Sequence, residues 1–136
     1  MAKQIFVNLP VRDLKRSVSF FTSLGYAFNP QFTDDNATCL MVGENIFVML
    51  LVEPFFKTFT PKPIADASKT TEVLVCLSCD SRGEVDAMVK KALAAGGTAP
   101  NTPQDHGFMY GHGFEDLDGH VWELMWMDPN AAPPHA

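Results

Sequence analysis

The most constraining feature of this sequence is an internal repeat, because each half must then fold into the same kind of unit. The two copies run over residues 5–52 and 73–127. Val7 in the apolar stretch IFVNLPV matches Val75 in VLVCLSC, at an offset of 68 positions. Near the end of each copy, VML at 48–50 matches WEL at 122–124, at an offset of 74. Such self-similarity predicts one supersecondary unit used twice in tandem.

Each copy begins with a strand that leads into a capped helix. Asp13 and Ser81 stand where N-cap residues are expected, and Gly25 and Gly96 follow the last helical turns. The predicted apolar faces are Leu14, Val18, Phe21 and Leu24 in the first helix and Val85, Met88, Val89 and Ala92 in the second. The helix ends are offset by 71, so the second copy carries three extra residues.

The remainder of each copy predicts a hairpin, turning at 43–45 in the first and at 118–119 in the second, with room for one more strand before it. The predicted fold is therefore α+β, with two tandem β-α-β-β-β units forming a cup-shaped mixed sheet and helices outside. We expect one domain over residues 1–130, a packed connector at 53–72 and a disordered tail at 131–136.

The charge balance excludes some partners. The chain has sixteen acidic and ten basic residues, which gives a net charge of −6. Because the sequence contains no basic stripe, nucleic acid is not expected as a partner. An acidic protein of this kind favours cationic small molecules. No apolar run is long enough to cross a membrane and no signal peptide is recognisable, so no membrane partner and a cytoplasmic location are expected.

The three cysteines are expected to be free thiols. An odd number without a secretory signal argues against a disulfide framework. Cys76 and Cys79 form a C-x-x-C motif, but the surrounding VLVCLSCD is typical of a strand. Residues three apart on a strand point to opposite faces, so the two thiols should not converge on one metal ion.

The chain resembles the vicinal oxygen chelate superfamily of glyoxalases, bleomycin-resistance proteins and extradiol dioxygenases. The resemblance is carried by VNLPVRDLKRSVSFFTSLGY in the first copy and FEDLDGHVWELMWMD in the second. Within the superfamily it is most similar to the lactoylglutathione-lyase-related group. The resemblance implies a single divalent metal ion held by four side chains, one from each of four inner strands.

The residues at those four positions do not suit a metal ion. They are Phe6, Met49, Leu74 and Glu123. The repeat independently pairs Phe6 with Leu74, at the offset of 68, and Met49 with Glu123, at the offset of 74. Only Glu123 offers a ligand atom suited to such an ion, whereas zinc needs about four and harder ions about six. We therefore expect no metal cofactor. The alternative left open is a displaced divalent-metal site, made from His106, His112, His120 and Glu123.

Strand alternation predicts which side chains line the cup. The expected ligand-binding residues are Phe6, Asn8, Phe47, Met49, Leu74, Cys76, Ser78, Glu123 and Met125. Glu123 stands out because a carboxylate between Trp122 and Leu124 costs free energy unless something pairs with it. Glu123 is also the first candidate catalytic residue, with His112 and Tyr110 as candidate helpers.

Several functions fit these residues. The first is a metal-free protein that binds a small, largely apolar molecule, with Glu123 as the polar anchor of that molecule. In one form of this hypothesis the molecule is also cationic. The alternative is a lyase- or isomerase-type enzyme that uses Glu123 as acid or base, with or without a displaced divalent metal. A third is a dimer scaffold without a ligand. Whether the chain is an enzyme stays undecided, and a homodimer is expected by resemblance.

Overall fold

A computed structural model describes residues 2–131 of the chain. It contains two compact units, the first ending at Asp66 and the second beginning at Ala67. The predicted disordered tail lies outside the described residues, apart from Ala131. Among the helices of residues 2–131, none combines the length and the apolar character needed to cross a membrane.

The first unit is a four-stranded mixed sheet with one long helix. Its elements are β1 (Ile5–Val11), α1 (Leu14–Ser23), β2 (Ala27–Asn29), β3 (Ala37–Gly43), β4 (Ile46–Val52) and α2 (Glu53–Phe56), with short 3-10 helices at Pro30–Phe32 and Lys57–Phe59. The strand order is β1-β4-β3-β2. β1 and β4 are parallel, and the other neighbours are antiparallel.

Helix α1 begins and ends where the sequence predicts. The side chain of Asp13 accepts a hydrogen bond from the amide of Arg16, and Gly25 has a φ of 99°, which only glycine adopts at low cost. The buried face differs slightly from the predicted one. Ser17 and Phe20 are buried, whereas Leu14 and Val18 are only half-buried, because the helix meets the sheet further round its circumference.

The second unit repeats the plan of the first. Its elements are β5 (Leu74–Ser78), α3 (Arg82–Ala94), β6 (Gln104–Asp105), β7 (Met109–Glu115) and β8 (Val121–Met127). The strand order is β5-β8-β7-β6, with β5 and β8 parallel. The side chain of Ser81 caps α3 by accepting from the amide of Glu84, as the capping-box pattern predicts.

Strand pairing confirms the repeat that was inferred from the sequence. Val7 of β1 lies beside Val48 of β4, and Val75 of β5 lies beside Trp122 of β8. The two pairs differ by the same offsets of 68 and 74 that relate the copies in the sequence. The prediction of two tandem β-α-β-β-β units in an α+β fold is therefore confirmed.

The second sheet has one covered face and one open face. Phe114, Trp122 and Leu124 are buried on the face that α3 covers. On the opposite face of β5, Leu74, Cys76 and Ser78 are exposed. Glu123 and Met125 of β8 share that open face and are half-buried, in the phase that strand alternation requires.

Candidate functional site

The acidic turn between β7 and β8 is held by one buried carboxylate. Asp116 Oδ1 accepts from the amides of Asp118 at 2.9 Å and His120 at 3.0 Å, and Oδ2 accepts from the indole Nε1 of Trp122 at 3.0 Å. Burial raises the pKa of Asp116, although the nearby His120 and the indole hydrogen bond oppose that rise. Asp116 is thus committed to the turn, which sets where strand β8 begins.

The open face of the second unit carries a cavity of about 410 Å³. This volume lies in the range of small-molecule sites. Strands β5, β7 and β8 form one side of it, and the segment between α3 and β7 forms the other. Its lining residues are Cys76, Pro100, Asn101, Thr102, Gln104, His106, Met109, Gly111, His112, Gly113, Val121, Glu123, Leu124 and Met125.

Glu123 is the one carboxylate among these lining residues. Pairing of β8 with its neighbours places Glu123 beside Cys76 on one side and Gly113 on the other. Within residues 2–131, no hydrogen bond or ion pair reaches the Glu123 carboxylate. Burial raises the pKa of the Cys76 thiol, and the negative charge of Glu123 raises it further. The carboxylate and the thiol therefore face the same space.

Two glycines keep the floor of the cavity clear. Gly113 pairs with Glu123 and Gly111 with Met125, so both present bare backbone to the open face. A Cβ at Gly113 would stand 2.7 Å from the carbonyl oxygen of Trp122, closer than real Cβ atoms come. Glycine within a strand often marks a place where a ligand or another backbone approaches closely.

A polar wall, residues 100–106, closes the other side of the cavity, and Arg82 at the start of α3 anchors its end. The Arg82 guanidinium donates to Asp105 at 2.7 Å and to the carbonyl oxygen of Gly107 at 2.9 Å. It lies over the rings of Tyr110 and Trp126, 5.2 Å from each centroid. The hydrogen bond from Arg82 lowers the pKa of Asp105 to about 2.

The structure does not bring the two candidate helpers beside Glu123. Tyr110 pairs with Trp126 and His112 with Leu124, so their side chains belong to the face that α3 covers. The Tyr110 hydroxyl donates to Asp86 of α3 at 2.6 Å. His112 borders the cavity, but its Nε2 lies 3.1 Å from the carbonyl oxygen of Asn101. Neither side chain is placed to share a proton with Glu123.

The predicted ligand-binding residues divide between the two units. Cys76, Glu123 and Met125 line the cavity, and these three are brought together as the strand phase predicts. Leu74 and Ser78 share their face but stand outside the lining. The remaining four belong to β1 and β4 of the first unit, and they are Phe6, Asn8, Phe47 and Met49. There the rings of Phe6 and Phe47 stack with centroids 4.9 Å apart, and Asn8 pairs with Met49.

The superfamily's metal ion does not fit the residues present. Phe6 and Leu74 offer no ligand atom, and Met49 offers only a thioether, which hard divalent ions do not prefer. Across residues 2–131, no group of three histidine, cysteine, aspartate or glutamate side chains is arranged to hold a metal ion. Of the alternative set, His120 is buried in the turn.

Sequence reasoning missed the polar wall and the two glycines. The wall has almost no regular structure, since only Gln104 and Asp105 form a strand, and periodicity carries no information there. The glycines had a usable signal. Alternate glycines at 111 and 113, on a strand opposite a carboxylate, indicate a surface left open for a ligand.

Comparison with known proteins agrees with this architecture. A family model described as bleomycin resistance protein-like N-terminal matches residues 3–43. Among curated proteins, none matches the chain. A hypothetical protein from S. aureus of known structure is 30% identical, over 93% of this chain and 95% of that one, with a TM-score of 0.77.

Two more distant structures share the fold. A glyoxalase/bleomycin resistance protein/dioxygenase family enzyme from Burkholderia phytofirmans PsJN is 17% identical over 93% of this chain and 99% of that one, with a TM-score of 0.78. Fosfomycin resistance protein FosX from Mesorhizobium loti is 14% identical over 93% and 92%, with a TM-score of 0.67.

Two tandem β-α-β-β-β units, each a four-stranded mixed sheet covered by a helix, define the class of this protein. The S. aureus structure shares this architecture over 95% of its length, and the bleomycin resistance protein-like N-terminal family model matches part of the first unit. The chain has the fold of glyoxalase, bleomycin-resistance and dioxygenase proteins.

Proposed function

We propose that this protein binds a small molecule with a largely apolar body in the cavity of its second unit, without the metal ion usual in the superfamily it resembles. Glu123 serves as the polar anchor of that molecule. The observation that carries the proposal is the Glu123 carboxylate, which faces the cavity without a partner among residues 2–131. A half-buried carboxylate retained at such a position costs free energy that a bound polar group offsets.

The lining supports a ligand of mixed character. Met109, Val121 and Met125 supply apolar contact from the strands, and methionine adapts its shape to different ligands. Asn101 and Gln104 supply hydrogen-bonding groups from the polar wall. Apolar walls with a few placed polar groups are typical of small-molecule sites. The cavity is thus more polar on its wall side than the sequence predicted for the cup as a whole.

The catalytic alternative has less support. Of the three candidate catalytic residues, Glu123 alone shares the open face, since Tyr110 and His112 belong by register to the opposite face and hydrogen-bond elsewhere. General acid–base catalysis requires the acid or base within hydrogen-bond reach of the proton it transfers, and usually a second group to complement it. A binding role requires only the anchor.

Substitution of Glu123 tests the binding proposal. We expect native mass spectrometry and NMR screening of a fragment set to detect ligands that shift the amide signals of Gly111 and Gly113, which line the cavity. Glu123→Gln should weaken those ligands, whereas Glu72→Gln, the same change at an exposed position outside the lining, should not. If no fragment of any charge perturbs the cavity amides, the proposal is wrong.

Cys76 provides an independent check on the placement of Glu123. Because the charge of Glu123 contributes to the raised pKa of the Cys76 thiol, Glu123→Gln should lower that pKa and speed alkylation by iodoacetamide. Cys79 serves as the internal control, since burial, Glu84 and Asp80 raise its pKa to about 11 and Glu123 plays no part. An unchanged alkylation rate at Cys76 would show that the carboxylate points away from the cavity.

Elemental analysis and light scattering address the other expectations. Protein purified without chelators should hold less than stoichiometric divalent metal after dialysis, because Phe6, Met49 and Leu74 do not supply suitable ligands. One tightly held metal ion per chain, lost in Glu123→Gln, would contradict this. The homodimer stays a prediction, and a molar mass from light scattering that matches a single chain would exclude it.

A further inference from the structure

As far as residue 131, no ion pair in the second unit involves Glu123. None of the fourteen residues that line the cavity is a lysine or an arginine. The nearby Arg82 is engaged on the other side of the sheet, where it binds Asp105 and lies over Tyr110 and Trp126. A carboxylate that is partly removed from water and has no cation beside it creates a negative potential in the cavity.

Within residues 2–131, no hydrogen bond or ion pair joins the thiol or the two histidines of the lining to the Glu123 carboxylate. The Cys76 thiol beside Glu123 has a raised pKa, which favours its uncharged form. His112 is held at Asn101 with its ring on the opposite face of β7, and His106 lies on the polar wall. The two strand neighbours of Glu123 are Cys76 and Gly113, and neither brings a positive charge.

We infer that the ligand of this cavity carries a protonated amine or amidine, which donates hydrogen bonds to the Glu123 carboxylate while its apolar part lies against Met109, Val121 and Met125. This inference rests on the proposed function and names the chemical class of its ligand. A single positive charge with N–H donors satisfies one carboxylate, whereas a divalent metal ion needs about four ligand atoms, and residues 2–131 hold no group of three histidine, cysteine, aspartate or glutamate side chains placed to bind one. The bare backbone at Gly111 and Gly113 allows a flat group to approach the sheet closely.

Three probes of similar size and different charge test the inference: benzylammonium chloride, benzyl alcohol and sodium phenylacetate. Each is titrated into isotopically labelled protein, and the amide signals of Gly111, Gly113 and Glu123 are followed. We expect benzylammonium to bind at least about tenfold more tightly than benzyl alcohol, the difference that one charged hydrogen bond typically makes. Phenylacetate should bind most weakly, because its carboxylate is repelled.

Two variants attribute the preference to Glu123. Glu123→Gln should abolish the advantage of benzylammonium over benzyl alcohol, whereas Glu72→Gln, which removes one exposed negative charge outside the cavity, should retain it. The folded state of each variant is checked by its amide spectrum. Loss of the advantage in both variants would show that only net charge matters and would overturn the inference.

The remaining outcomes separate this inference from the proposed function. If benzyl alcohol or phenylacetate shifts the cavity amides as strongly as benzylammonium, the cavity binds small molecules and the cationic class is wrong. The same holds if only neutral or anionic members of a wider fragment set bind there. If no probe and no fragment perturbs those amides, the proposed function itself fails, and the inference fails with it.

Discussion

Replacement of Asp116 by alanine should destabilise the second unit more than most single substitutions would. The change deletes the acceptor of three hydrogen bonds, from the amides of Asp118 and His120 and the indole of Trp122. A hydrogen bond to a charged group contributes about 1.5–3 kcal/mol, and a buried donor left without its acceptor costs about 1–3 kcal/mol. Burial of the charged Asp116 carboxylate is itself unfavourable, which is why its pKa is raised. Alanine removes this cost, so part of the loss is offset. We expect a net loss of about 3–5 kcal/mol in the free energy of unfolding.

Chemical denaturation with urea, followed by tryptophan fluorescence, measures that loss. Because a loss of this size approaches the whole stability of many domains, Asp116→Asn is the second variant. The asparagine oxygen can keep the two amide bonds, so only the bond from Trp122 is lost, and a cost of about 1–3 kcal/mol is expected. The order of stability should therefore be wild type, then Asp116→Asn, then Asp116→Ala.

The first unit offers a matched control. Asp34 also stands in a turn and accepts from the amides of Asn36 at 2.8 Å and Ala37 at 3.0 Å, but Asp34 is exposed and water replaces it easily. Asp34→Ala should cost about 1 kcal/mol or less. If Asp116→Ala costs no more than Asp34→Ala, burial of the turn carboxylate does not matter and the reasoning is refuted.

Two further predictions concern the frame of the cavity. Arg82→Met should raise the pKa of Asp105 from about 2 toward its ordinary value of 3.8 in an NMR titration, and an unchanged pKa would contradict the observed ion pair. The stabilisation through this pair is present above about pH 3.8 and is lost as the pH falls through about 2. Gly113→Ala should destabilise by about 1–3 kcal/mol because its Cβ meets the Trp122 carbonyl at 2.7 Å. Gly111→Ala, with its nearest contact at 3.5 Å, is the control, and equal losses would argue against that clash.

The sequence alone determined the architecture of each unit. Offsets of 68 and 74 between the copies reappear as the pairing of Val7 with Val48 and of Val75 with Trp122. This was predictable because strand alternation, helix caps and turn glycines are local properties. Each of these patterns also occurs in both copies of the repeat, so one copy supports the prediction made from the other. The same phase placed Glu123 and Cys76 on one face, where the structure has them.

Only the tertiary structure decided what surrounds Glu123. The register of β7 against β8 assigns Tyr110 and His112 to the covered face, and a shift of one residue in the register of a hairpin moves every side chain to the other face. The polar wall has no periodic pattern, and its position depends on Arg82 reaching Asp105 twenty-three residues away. Contacts between residues that are distant in the sequence depend on how the whole unit packs. The identity of Glu123 was therefore visible in the sequence, whereas only the fold shows that no other residue between 2 and 131 pairs with its carboxylate.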